Sequence, residues 1–193
     1  MKRIISILLA GFTIAFSAGC GTDSPVDEGG RITVSNATVW SAPNSVKIMK
    51  DLPIAEQDQS EGGLLSETPA ELRFDAIRGE TEGAQLMFTA SENIASFDLA
   101  VNDVKTESGA TLSAKQFEVL AERYIEVTTP TTSNPTTANM YAGWYPDALV
   151  PMDRYKARRD NKVTAGEHQG IWVNLNIPRD AEAGTYTGTA KLT

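Results

Sequence analysis

Residues 70–90 read "AELRFDAIRGETEGAQLMFTA", and the fold class turns on how this stretch is read. Leu72, Phe74 and Ala76 alternate with Arg73 and Asp75, the period of two that marks a strand with one buried and one wet face. Residues 79–83, with a glycine at each end, supply a break, and Leu86 and Phe88 resume the alternation. The neighbouring runs repeat the pattern. In "RITVSNATVW" (31–40), Ile32 and Val34 alternate with polar residues; in "SFDLAVNDV" (96–104), Phe97, Leu99 and Val101 share a face. "HQGIWVNLNIPRDAEAGTYTGTAKLT" (168–193) reads as strand, turn, strand, with Ile171, Val173, Leu175 and Ile177 on one face. Trp172 falls on the other. If that second face is not wet, another segment must cover it.

Two segments are less regular. "KQFEVLAERYIEVTT" (115–129) fits a helix through Phe117, Leu120, Ala121, Tyr124 and Ile125. It also fits a strand through Phe117, Val119, Ala121, Ile125 and Val127, broken at Arg123, and the β-branched tail selects the strand. Between residues 130 and 162 regular patterning lapses in a stretch with four prolines and a basic cluster at Lys156, Arg158 and Arg159. Its Thr/Ser/Asn portion reads as mobile, whereas the part around Trp144 and Tyr145 is too apolar to be left in solvent. The expected fold is all-β: an antiparallel β-sandwich of immunoglobulin or jelly-roll type over residues 31–193, with one long ordered loop excursion.

The first 20 residues read as a leader. Lys2 and Arg3 precede an apolar stretch over residues 4–16, too short for a permanent bilayer-spanning helix, and the run ends in Ser17-Ala18-Gly19-Cys20. Ala18-Gly19-Cys20 resembles a bacterial lipobox, although Ser17 stands where leucine is usual. Cys20, the only cysteine, would then be the lipid anchor, and residues 21–30 a flexible acidic tether. The protein is expected to be exported and held at the cell envelope by that lipid, or else secreted. A formal net charge of −8 argues against nucleic acid and against an anionic membrane surface as partners.

Tyr145-Pro146-Asp147 with Leu149 and Pro151, followed by Gln169 and Trp172, then Pro178, Asp180, Gly184, Tyr186 and Gly188, make a recognisable series. Arg78, Glu80 and Gln85 extend it upstream. The series resembles the N-terminal β-sandwich domain of glycoside hydrolase family 123. The resemblance implies a β-N-acetylgalactosaminidase-like parent whose chemistry, an adjacent Asp-Glu pair assisted by the substrate's acetamido group, resides in a following barrel. No catalytic residue carries over to this chain, which reads as a non-catalytic module with that barrel as its partner.

The remaining residues fit this reading. His168 is the only histidine and has no thiol or second imidazole to work with, so a structural role is expected. Glu80 with Glu82, and Asp180 with Glu182, are carboxylate pairs in turns, where acidic side chains usually serve local backbone amides. Asp147 is expected to fix the excursion's shape or to pair with Arg154, Arg158 or Arg159. Trp144, Tyr145, Asp147, Tyr141 and Trp172 are the candidates for stacking and hydrogen bonding a sugar, or for packing on another domain. A stand-alone glycan-binding surface lipoprotein is the alternative function. No metal or cofactor is expected.

Overall fold

The structure, a computed structural model, describes residues 36–57, 70–129 and 142–193, together with the strands Ile4–Leu9, Phe12–Ile14 and Ile32–Val34. In chain order the elements are β1 (Ile4–Leu9), β2 (Phe12–Ile14), β3 (Ile32–Val34), β4 (Ala37–Ala42), α1 (Ile54–Gln57), β5 (Leu72–Ile77) and β6 (Thr81–Ala90). Then come β7 (Leu99–Val101), β8 (Val104–Lys105), β9 (Thr111–Leu112), β10 (Phe117–Val127), β11 (Gly143–Pro151), α2 (Met152–Ala157), β12 (His168–Asn176), β13 (Thr185–Thr187) and β14 (Ala190–Leu192). Six strands form one layer in the order β11-β10-β12-β6-β4-β3, every neighbour antiparallel. The second layer is built from β5-β1-β13-β8-β9 and β2-β14-β7, with parallel pairing where β1 meets β13 and β2 meets β14. β1 and β2 fall within the residues read above as a leader.

Residues 70–90 form two strands, but in different layers. β5 belongs to the second layer and β6 to the six-stranded sheet, so the turn between them is a corner of the sandwich. Gly79 adopts φ +80°, open to glycine at little cost, and the Glu80 carboxylate accepts the Ile77 N–H at 2.8 Å. The break is shorter than the sequence reading, and Gly83 lies inside β6. The inward residues of the two layers then meet. Phe74 of β5 packs edge-on against Phe117 of β10 at 6.1 Å, and Phe88 of β6 against Phe97 at 5.2 Å. Burying each of these rings contributes about 1.5–3 kcal/mol.

The ambiguous segment is strand β10, and its break is real: the register with β11 shifts between Arg123 and Tyr124. Arg123 pairs with Ala148 and Tyr124 with Pro146, which leaves Asp147 as the extra residue of a bulge. Residues 143–157 are therefore strand and helix where a loop excursion was expected. β11 pairs only with β10, and an edge strand tolerates Pro146 because one side of it needs no donor. Helix α2 then buries Met152 and Tyr155 at the core's margin. The Thr/Ser/Asn-rich part of the expected excursion lies outside the described residues.

Alternation holds in β5 and fails in β6, where residues 84–88 are all buried. The cause is residues 43–57, which fold over the outer face of the large sheet and bury Trp40, Ala42, Ile48 and Met87 in a second cluster with Val46 and Ile54. This is the cover that Trp172 called for. Replacing Ile48 by alanine is expected to cost about 2–5 kcal/mol. Urea unfolding checks it, and a loss confined to a few tenths would mean that the cover is not part of the cooperative core.

Candidate functional site

The bulge divides the expected aromatic cluster. Trp144 lines a hollow of about 180 Å³ with Lys50, Arg123, Tyr124, Tyr155, Asp160, Lys162 and Gln169, and the Lys50 ammonium stands 5.3 Å from the Trp144 ring centre. Asp147 lines a separate cavity of about 250 Å³. Tyr145 is half-buried and opposite Ile125; Tyr141 and Cys20 lie outside the described residues. The carboxylate of Asp147 is exposed and 4.0 Å from Lys47, where an arginine of residues 154–159 was one expectation. An ion pair this exposed contributes little to stability.

The 250 Å³ cavity lies between the outer face of the large sheet and the chain around residue 46. Its wall is Trp172 from β12 with Val46, Pro146 and Leu149; its floor holds Gln85 of β6 and Glu122 of β10. Glu122 is 3% exposed and Gln85 2%. Glu122 Oε2 and Gln85 Oε1 have no hydrogen-bond partner within the protein. Such atoms are uncommon in folded proteins and call for an explanation. Two glycines create the room. A Cβ on Gly170, in the strand next to Glu122, would overlap the Glu122 carboxyl, and one on Gly83 would come within 2.7 Å of the Trp172 ring. Trp172 is fixed from the other side by its Nε1, which donates to Asn174 Oδ1 at 2.8 Å. Gln169 braces the strand behind, its Nε2 donating to the backbone carbonyls of Glu122 and Gly170, both at 2.8 Å.

Burial raises the Glu122 carboxyl to about 7, against a smaller opposing pull from the Gln85 hydrogen bond and the Lys47 charge. Below about pH 7 the neutral acid is thus the favoured form in the folded chain. A larger hollow of about 380 Å³ also borders Gln85, but its charged side chains Arg73 and Asp75 are exposed and paired with each other at 3.3 Å.

His168 is structural. Trp40 Nε1 donates to Thr89 Oγ1 at 3.2 Å, Thr89 Oγ1 stands 2.8 Å from His168 Nδ1, and His168 Nε2 stands 3.0 Å from the Leu52 carbonyl. The carbonyl can only accept, so Nε2 carries the proton and Nδ1 accepts from the threonine. Burial lowers the imidazole's pKa and keeps it neutral. Of the turn carboxylates, Glu80 caps the corner at Ile77; the turn at Glu182 is held through its backbone carbonyl, which accepts the Tyr186 hydroxyl at 2.8 Å.

Residues 58–193 match the family model of the glycoside hydrolase 123 N-terminal domain. The chain belongs to this family. Among solved structures, the domain is similar to a family 123 glycoside hydrolase from Clostridium perfringens, described for glycolipid glycan hydrolysis, at 18% identity and a TM-score of 0.48. The likeness covers 60% of this chain and 18% of that one. No curated protein matches the domain.

Of the residues in the sequence series, the structure gathers Gln85, Pro146, Asp147, Leu149 and Trp172 around one cavity. Glu122 was missed. The local signal was weak: Glu122 falls between Leu120 and Tyr124, but Glu118 and Glu126 share its parity on the strand, and the closeness of Gly170 emerges only from the pairing of β10 with β12.

Because the folded chain holds a proton on Glu122 that the unfolded chain releases near pH 4.5, raising pH from about 4.5 through 7 lowers stability. The loss should approach roughly 3 kcal/mol above pH 7. Glu122→Gln is expected to flatten that decline. Urea unfolding of both chains at pH 5 and pH 8 measures it; parallel pH dependences would contradict it.

Proposed function

We propose that this glycoside hydrolase domain is the non-catalytic N-terminal module of an exported, β-N-acetylgalactosaminidase-like enzyme whose catalytic barrel follows it. The family match over residues 58–193 is the observation that carries the reading. The described residues add physical support. Glu122 is the only buried carboxyl among them, and it faces an amide, Gln85. Glycoside hydrolysis usually employs two carboxyl groups about 5–9.5 Å apart across the scissile bond. The half-buried Trp144 and Tyr145 and the exposed Leu149 and Ile125, at 46% and 45%, give β10 and β11 an apolar margin suited to another domain.

Cys20 is proposed to carry the lipid that holds the module at the cell envelope. Cleavage ahead of Cys20 would withdraw β1 and β2, and the strand edges they pair with on β5, β13 and β14 would need another partner.

The test is to assay an aryl β-N-acetylgalactosaminide with this chain and with the full-length parent. Hydrolysis is expected from the parent alone, and the parent's Trp144→Ala and Asp147→Ala variants should lose thermal stability or kcat/KM. Turnover by residues 1–193 would overturn the reading, as would variants that alter neither property. For the anchor, palmitate labelling of expressing cells is expected to mark the parent and to vanish in Cys20→Ser.

A further inference from the structure

We propose that the cavity bounded by Gln85, Glu122, Asp147, Leu149 and Trp172 is a binding site for one neutral sugar ring. The choice of a sugar rests on the glycoside hydrolase reading; the existence of a site does not. Three observations define what the cavity would accept.

The first is the pair of unpartnered atoms. The side chains of Glu122 and Gln85, each at least nine-tenths buried, both line the same space; Glu122 Oε2 and Gln85 Oε1 have no partner in the protein and are closed off from solvent, so a rotation of either side chain would present it to a hydroxyl of the occupant. The second is the amphipathic lining. Trp172, Val46, Pro146 and Leu149 offer a C–H-compatible wall above that polar floor, the combination that fits a pyranose with its apolar face and polar rim. The third is size and charge. About 250 Å³ lies just below the roughly 300 Å³ at which pockets for drug-sized ligands begin, leaving room for one ring and not a chain.

Charge at the site is nearly cancelled. From residues 43–57 the facing group is Lys47, from β11 Asp147, and from β10 Tyr124 beside Glu122 itself; β6 and β12 contribute uncharged Gln85 and Trp172. Lys47 and Asp147 stand 4.0 Å apart at the rim, and the floor favours the neutral carboxyl near pH 6. An anionic sugar or a phosphate would find one offset cation and a buried acid.

The experiment titrates the intact chain with N-acetylgalactosamine, galactose and glucose at millimolar concentration and pH 6, following the Trp172 indole N–H by NMR. Saturable binding of at least one sugar that shifts this resonance is expected. It should weaken at least tenfold in Glu122→Ala and in Gln85→Leu, the loss of about one hydrogen bond. Leu149→Arg, a change at an exposed position on the mouth, should block binding while circular dichroism and melting stay unchanged. No saturable shift with any of the three sugars would overturn the proposal, and so would shifts confined to Trp144, or binding unaffected by Leu149→Arg. Activity of the parent enzyme without binding here would remove the sugar site alone; binding here in a parent without glycosidase activity would remove the enzymatic reading alone.

Discussion

The six-stranded sheet has to be covered on both faces, and its outer cover hangs on one neutral histidine. Residues 43–57 bury Ile48 and Met49 beneath them. The Trp40, Thr89, His168, Leu52 chain of hydrogen bonds ties the segment across three strands to the sheet. His168 N–H donates to the Lys50 carbonyl at 2.7 Å, and the Lys50 N–H donates to Trp144 on the far edge at 3.0 Å. A proton on Nδ1 would remove the acceptor that Thr89 uses. The imidazole's folded pKa lies below its usual value, so its contribution is present above about pH 6.5 and declines as pH falls through the lowered pKa.

With that cover in place, the space beside it acquires its character. Val46 and Lys47 come down over the sheet next to Trp172, and a carboxyl that would be solvated on a bare sheet is enclosed. A buried acid with a free oxygen normally works against stability. Here Gly170 leaves room for it and Gln85 hydrogen-bonds it, an arrangement that lessens the cost of burial without satisfying every atom. Retaining such a group makes physical sense where something polar comes to fill the space.

The bulge at Asp147 gives the module two distinct surfaces. On one side of it, Trp144 is clamped by Lys50 into the packing of residues 43–57 against β11. On the other, Asp147 and Leu149 border the cavity. Support of a neighbouring domain through Trp144 and Tyr145 and capture of a sugar beside Asp147 both draw on the one edge strand, and the exposed Leu149 is common to the two.

Much of this was legible in the sequence. Alternation at Leu72, Phe74 and Ala76 and at Ile171, Val173 and Leu175 specified strands with an inward face, because that period reflects local geometry alone. The turn residues Gly79 and Glu80 and the irregularity at Arg123 were also local signals. The motif residues Gln85, Asp147 and Trp172 could be singled out one by one. Their convergence could not, since β6, β11 and β12 are distant in sequence and meet only through pairing with one another or with β10. The same holds for Glu122. Whether a glutamate on a strand is solvated or buried depends on what the opposite strand presents and on what folds over the face. Those two facts, Gly170 in register and residues 43–57 overhead, exist only in the tertiary structure.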